Sequence, residues 1–200
     1  MAGSNLAPVA GFDDPVQQSQ QSFRALLDAT ARPGRMTRIE AEPGRPDGIG
    51  PALAAAALTL CDFETPVWLG PGLDRPQIRD WLRFHTGAPF AEAKAAAFAL
   101  LDAAQPLPPL EQFSLGCDEA PDRGATLLIQ VGSLQGAPAL TWRGPGIRSE
   151  TAMPFCGLPE YFWHQRAALP AVFPRGLDIY LCCGSVLVGL PRSTAIAMEA

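Results

Sequence analysis

Helical and extended segments alternate through the first half of this 200-residue chain, and that alternation limits its fold more than any other feature. Asp14 and Pro15 mark a helix start, since an aspartate accepts from free N–H groups and proline suits the first turn. Val16, Phe23, Leu26 and Leu27 recur at helical spacing until Arg32-Pro33-Gly34 ends the segment. Residues 35–40 alternate in the manner of a short strand, and Pro43 to Gly48 form a loop. Pro51 opens a second helix, Ala52 to Leu60, apolar nearly all round and so expected to be buried. Thr65 to Leu69 predicts a strand closed by Gly70-Pro71-Gly72. A third helix, capped by Asp74, turns Ile78, Trp81 and Leu82 inward, with His85 on the same side, and stops at Gly87 and Pro89.

The second half is richer in strands. Ala91 to Leu101 reads two ways: its alanines favour helix, whereas Phe98 to Leu101 suits a buried strand. Residues 105–123 are proline-rich and irregular, with a short helical turn. Ala125 to Val131 is a strand, Ala139 to Arg143 another, and Leu158 to Ala168 a helix. Leu177 to Cys182 and Val186 to Leu190 make a hairpin through Cys183-Gly184-Ser185, with Thr194 to Ala197 prolonging that sheet edge beyond Pro191. The expected class is α/β, a mixed sheet with helices on both faces. Residues 1–12 read as a flexible tail and residues 13–200 as a single domain, without repeat or linker.

Composition narrows the function. Apolar residues make up 48% and charged residues 18%, which excludes general disorder and suggests faces covered by partners. A net charge of −5 argues against a nucleic-acid role. Lys94 is the sole lysine, so pyridoxal chemistry would have no other side-chain amine, and the placement of Glu92 and Lys94 on an alanine-rich segment reads as solvent-facing. The five cysteines form no CxxC pair and the two histidines lie far apart, so no metal site is expected. No secretory leader or membrane-spanning run is recognisable, and the expected location is cytoplasmic.

Two constellations are candidates for chemistry. The first is Arg83-Phe84-His85-Thr86-Gly87. His85 is the candidate general acid/base, with Arg83 and Thr86 as anion contacts; the competing reading is a histidine satisfied at a helix end. No residue is assigned as catalytic outright. The second is Arg143-Gly144-Pro145-Gly146-Ile147-Arg148, where Arg143 and Arg148 flank a turn that can hold a phosphate or carboxylate, or merely connect two strands. Arg175 and Arg192 sit beside prolines at strand ends, where acidic groups of a neighbouring chain can pair with them. The aromatic run Tyr161-Phe162-Trp163 reads as a packing or interface face. Neither a Walker A loop nor a GxGxxG turn occurs.

The ordered set of segments carries more than any single one. Ser22 to Leu27 through Pro33-Gly34, Leu58-Thr59-Leu60, Glu64 to Leu69, and Arg83 to Thr86 with Ala88-Pro89 come first. Gly124 to Val131 with Ser133-Leu134, Gly144 to Ile147, Leu158-Pro159, and Phe173-Pro174 with Gly176-Leu177-Asp178 follow. Cys183-Gly184 and Pro191-Arg192-Ser193-Thr194 close it. From about residue 13 onward this series resembles the PhnH subunit family of the bacterial carbon–phosphorus lyase system. Residues 90–123 match loosely, and Ser193 stands where the family usually has threonine, keeping a hydroxyl.

The resemblance implies a three-layer α/β/α sandwich like that of pyridoxal-phosphate-dependent transferases, without the cofactor or its lysine. It implies a homodimer that joins the G, I and J subunits of a core complex. That complex forms α-D-ribose 1-methylphosphonate 5-triphosphate from ATP and methylphosphonate, with the nucleosidase chemistry attributed to the I subunit. The expected role is structural or co-catalytic within a transferase complex, with ATP and alkylphosphonate at a shared site. The alternatives are a small anion- or nucleotide-binding module using Arg143 and Arg148, and an autonomous transferase.

Overall fold

A computed structural model describes residues 9–136 and 139–198. Helix α1 (Pro15–Ala31) starts as its sequence dictates: Asp14 Oδ1 accepts from the Gln17 amide at 3.0 Å, and Pro15 takes the first turn. The strand expected over 35–40 contracts to β1 (Thr37–Arg38). Its partner sets that length, since Arg38 lies opposite Val186, where the partner strand begins, and only one more bond, Ile39 N–H to Ser185 O, follows. Helix α2 (Pro51–Leu60) is thin, and Ala52 to Ala57 are wholly buried.

After β2 (Val67–Leu69), helix α3 (Pro76–Thr86) begins one residue later than expected, with Arg75 rather than Asp74 at the cap position. Asp74 instead accepts from the Arg79 guanidinium, which holds its carboxyl below the usual range. Gly87, at φ 70°, ends α3 in the left-handed conformation that a side chain disfavours. The ambiguous alanine-rich segment resolves into a short turn at Ala93–Ala95 and strand β3 (Phe98–Asp102).

The remaining elements are β4 (Thr126–Gln130), β5 (Ala139–Arg143), β6 (Thr151–Pro154), α4 (Glu160–Ala168), β7 (Asp178–Cys183), β8 (Val186–Leu190) and β9 (Ala195–Met198). Strand β6 has no counterpart in the sequence reading. Strand β9 does not prolong the hairpin edge as expected. It pairs antiparallel with β5, across from β6, in a separate three-stranded sheet of order β6-β5-β9.

The main sheet has the order β1-β8-β7-β4-β3-β2. All its strands run parallel except β8, which is antiparallel to both neighbours, so the class is α/β with a mixed sheet. Its register separates two cores. The row Leu100, Leu128, Tyr180 meets α1, α2 and α3 on one face. The adjacent row Leu101, Ile129, Leu181, Val188 faces α4, the small sheet and the proline-rich segment on the other. Near-continuous apolar strands are what two-sided burial requires.

Candidate functional site

The parallel strands deliver their carboxyl ends to one edge of the sheet, where α/β proteins commonly bind ligands. There the chain leaves β4 at Gln130-Val131-Gly132 and β7 at Cys183-Gly184, and enters α2 at Gly48-Ile49-Gly50. These three turns border an open cleft of about 350 Å³. A second concavity of similar size shares Gln130 to Gly132 and adds Asp102 and Gly157.

Gln130 is the central side chain. Its Oε1 accepts from the Gly50 amide at 2.6 Å, and its Nε2 donates to the Gly48 carbonyl at 3.3 Å. The Ala52 amide donates to Gly184 O at 2.9 Å. The amino end of α2 is thus stitched to the ends of β4 and β7. A Cβ at Gly50 would lie 2.9 Å from Gln130 Oε1 and would displace that carboxamide from the Gly50 amide. The cavity lining offers backbone amides and carbonyls, a carboxamide and the Cys183 thiol, which points to Gly132 O at 3.5 Å. Among the described residues, its lining presents no cationic side chain and no base beside the thiol. Such a site can orient a ligand through neutral hydrogen bonds, but it has no pair for general acid–base chemistry.

The residues singled out from sequence lie elsewhere, in two separate places. His85 closes α3 against the segment that precedes α1. Its Nε2 donates to the Val9 carbonyl at 2.9 Å, and its ring meets Trp81 and Phe84 edge-on. Trp81 Nε1 reaches Ala10 O at 3.4 Å, and a Cβ on Gly11 would come within 2.9 Å of the imidazole. Residues 9–12, read from sequence as tail, are therefore in packing contact with α3; residues 1–8 lie outside the described residues. Thr86 donates to Leu82 O at 2.7 Å and accepts from the Ala88 amide at 3.1 Å, which closes the helix end. Arg83 lies over the Phe90 ring at 5.5 Å.

Arg143 sits at the end of β5 and donates to Glu150 at 3.0 Å through Nε, so its charge is matched across the loop it opens. Arg148 is exposed on that loop, whose Gly146 approaches the Ala31 carbonyl at the end of α1. Lys94 donates to the carbonyls of Glu111 and Phe113, both at 3.2 Å, tying down the proline-rich segment. Arg192 and Arg175 find acids within their own chain, Asp178 and Asp118. Phe162 and Trp163 belong to the second core rather than to a surface.

Sequence reasoning missed Gln130, Asp102 and the cleft itself. The available signal was a glycine just past a strand or just before a helix, at Gly132, Gly184 and Gly50. The five cysteines, of which Cys182 and Cys183 line the cleft, differ in burial. Burial pushes the thiols of Cys61 and Cys182 up to about 12 and that of Cys156 to about 11. A thiol needs its thiolate to react. Titration of the native protein with an aromatic disulfide at pH 8 should modify Cys117 quickly and Cys183 more slowly. Cys61, Cys156 and Cys182 should respond only on unfolding; rapid labelling of all five in the folded state would contradict this burial pattern.

Among the described residues, no helix is long and apolar enough to cross a membrane. The sequence profile of a family described as bacterial phosphonate metabolism protein (PhnH) matches residues 10–197. A protein of Rhizobium meliloti (strain 1021), named α-D-ribose 1-methylphosphonate 5-triphosphate synthase subunit PhnH, is 41% identical over 189 residues, which are 94% of each chain. A protein of Stutzerimonas stutzeri, named putative C-P lyase subunit protein HtxG, is 32% identical over 182 residues, covering 91% of this chain and 87% of the relative.

Proposed function

The chain belongs to the bacterial phosphonate metabolism (PhnH) family, and from that premise we propose that it is a subunit of a carbon–phosphorus lyase core complex. Within the complex it serves the formation of α-D-ribose 1-methylphosphonate 5-triphosphate from ATP and methylphosphonate. The observation that carries this reading is end-to-end similarity, at 41% identity, to a chain named as a subunit of that synthase.

The site chemistry supports a structural or co-catalytic role. Among the described residues, the lining of the cleft holds no nucleophile–base pair, and His85 is engaged with a backbone carbonyl. The wider reading is a cytoplasmic homodimer that assembles with the G, I and J subunits. Its α/β/α layering is that of pyridoxal-phosphate transferases, a reading supported by the parallel strands β2, β3, β4 and β7.

Co-expression with the partner subunits tests the reading. The wild-type chain should co-purify with them and restore growth on methylphosphonate as sole phosphorus source in a strain lacking its own copy. Formation of the triphosphate by the isolated chain, or no association with the partners, would overturn it. In the same assembly His85→Ala should keep turnover within about threefold of wild type, because the lost contact holds residues 9–12 rather than a reacting atom. A loss of a hundredfold or more, about the contribution of a general acid–base residue, would instead make His85 catalytic.

A further inference from the structure

Helix α1 shows two faces. Ser22, Leu26 and Ala29 are buried against α2 and β8, whereas Val16, Phe23 and Leu27 are 80%, 46% and 52% exposed on the opposite side. At 100° per residue the three exposed side chains lie within about 40° of arc. With Gln20 between them the spacing is four, three, four, that of the seam of paired helices. Isolated exposed apolar residues are ordinary, but an aligned set on a 17-residue helix is a surface awaiting cover.

Charge indicates what covers it. The amino end of α1 carries Asp13 and Asp14. At the carboxyl end Arg32 and Arg35 share the single carboxylate of Asp28, leaving a positive surplus. The helix itself has no acid in its first turn and no base in its last, and Arg24 is exposed along it. The residues that flank it are acidic before and basic after, an arrangement complementary to its own reversed copy. Antiparallel pairing also opposes the helix dipoles favourably. A two-fold axis passing between Gln20 and Phe23 sets Val16 against the partner's Leu27. It also brings Asp13 and Asp14 toward the partner's Arg32. Gln20, the one polar residue in the seam, then fixes the register at some cost in affinity.

We propose that the outer face of α1 is a two-fold interface between two copies of this chain, with the two α1 helices packed antiparallel. This rests on the homodimer put forward above and gives it a location. Sedimentation of the purified chain should yield twice the 21.2 kDa monomer mass. Phe23→Glu or Leu27→Glu should weaken self-association by at least about 30-fold, the effect expected at the centre of an interface. Both residues point to solvent in the monomer, so circular dichroism and Tm should stay at wild-type values.

Orientation is read by cross-linking in a Cys117→Ser background under mild oxidation. The pair Val16→Cys with Leu27→Cys should form a covalent dimer, and neither single change should. A dimer that survives Phe23→Glu, or single-variant cross-links alone, would overturn the α1 interface and leave the homodimer standing. A wild-type chain monomeric at all concentrations would overturn both.

Discussion

Gly189→Ala should lower Tm by roughly 9 °C and the stability by about 3 kcal/mol, the scale of overpacking a close contact in a protein of this size. Gly189 lies in β8 on the face that receives α1, in register with Leu128 and Tyr180. A Cβ there would sit 2.5 Å from the Ala29 carbonyl oxygen and 3.0 Å from the Thr30 nitrogen. Both obstacles are helix backbone, so no rotamer change relieves the collision and α1 must lift from the sheet. The lift would also disturb the bond between the Thr30 and Tyr180 hydroxyls at 2.6 Å.

Gly132→Ala is the matched comparison. A Cβ at that position meets nothing within 4 Å, so the change should be neutral or stabilise by up to about 1 kcal/mol through the unfolded chain. Urea unfolding of both variants gives the contrast. Equal midpoints would mean that the approach of α1 to β8 does not depend on glycine.

How far the fold can be read from the chain depends on how local its causes are. The start of α1 is legible because Asp14, Pro15 and Gln17 settle it among themselves. Strand β3 is not: the conformation of Phe98 to Asp102 is decided by β2 and β4, which hydrogen-bond it on both sides. Strand β9 reads as extended from its own residues, but its partner is chosen by the preceding turn. Arg166 Nη2 donates to Pro191 O at 2.7 Å and to Thr194 O at 3.0 Å, which fixes that turn and directs the chain to β5. The same holds for the site. His85 stands out in sequence because histidine is rare here, yet its partner is 76 residues away at Val9. Gln130 attracts no notice until folding brings Gly50, 80 residues distant, to its carboxamide.

Asp178→Asn should cost about 3 kcal/mol, more than the roughly 2 kcal/mol expected for Arg192→Ala, because one carboxylate serves two guanidinium groups. Asp178 Oδ2 accepts from Arg192 at 3.0 and 2.6 Å, and Oδ1 accepts from the Arg192 amide at 2.8 Å. It also supplies attraction to Arg166, which is completely buried and whose guanidinium burial drags down to about 10. Arg166 Nε and Nη1 have no partner among the described residues, so the attraction of Asp178 joins the two Nη2 bonds in offsetting part of its desolvation. Asparagine keeps the shape and one acceptor but removes the charge, leaving both arginines uncompensated. Arg192→Ala leaves the carboxylate free to act on Arg166 alone. Combining Asp178→Asn with Arg166→Met should recover about 1 kcal/mol, since the buried charge goes with its counter-charge, although Pro191 and Thr194 lose a donor. Urea midpoints for the four proteins decide it. If Arg192→Ala proves the costlier single change, or the methionine adds to the loss, Arg166 does not depend on Asp178.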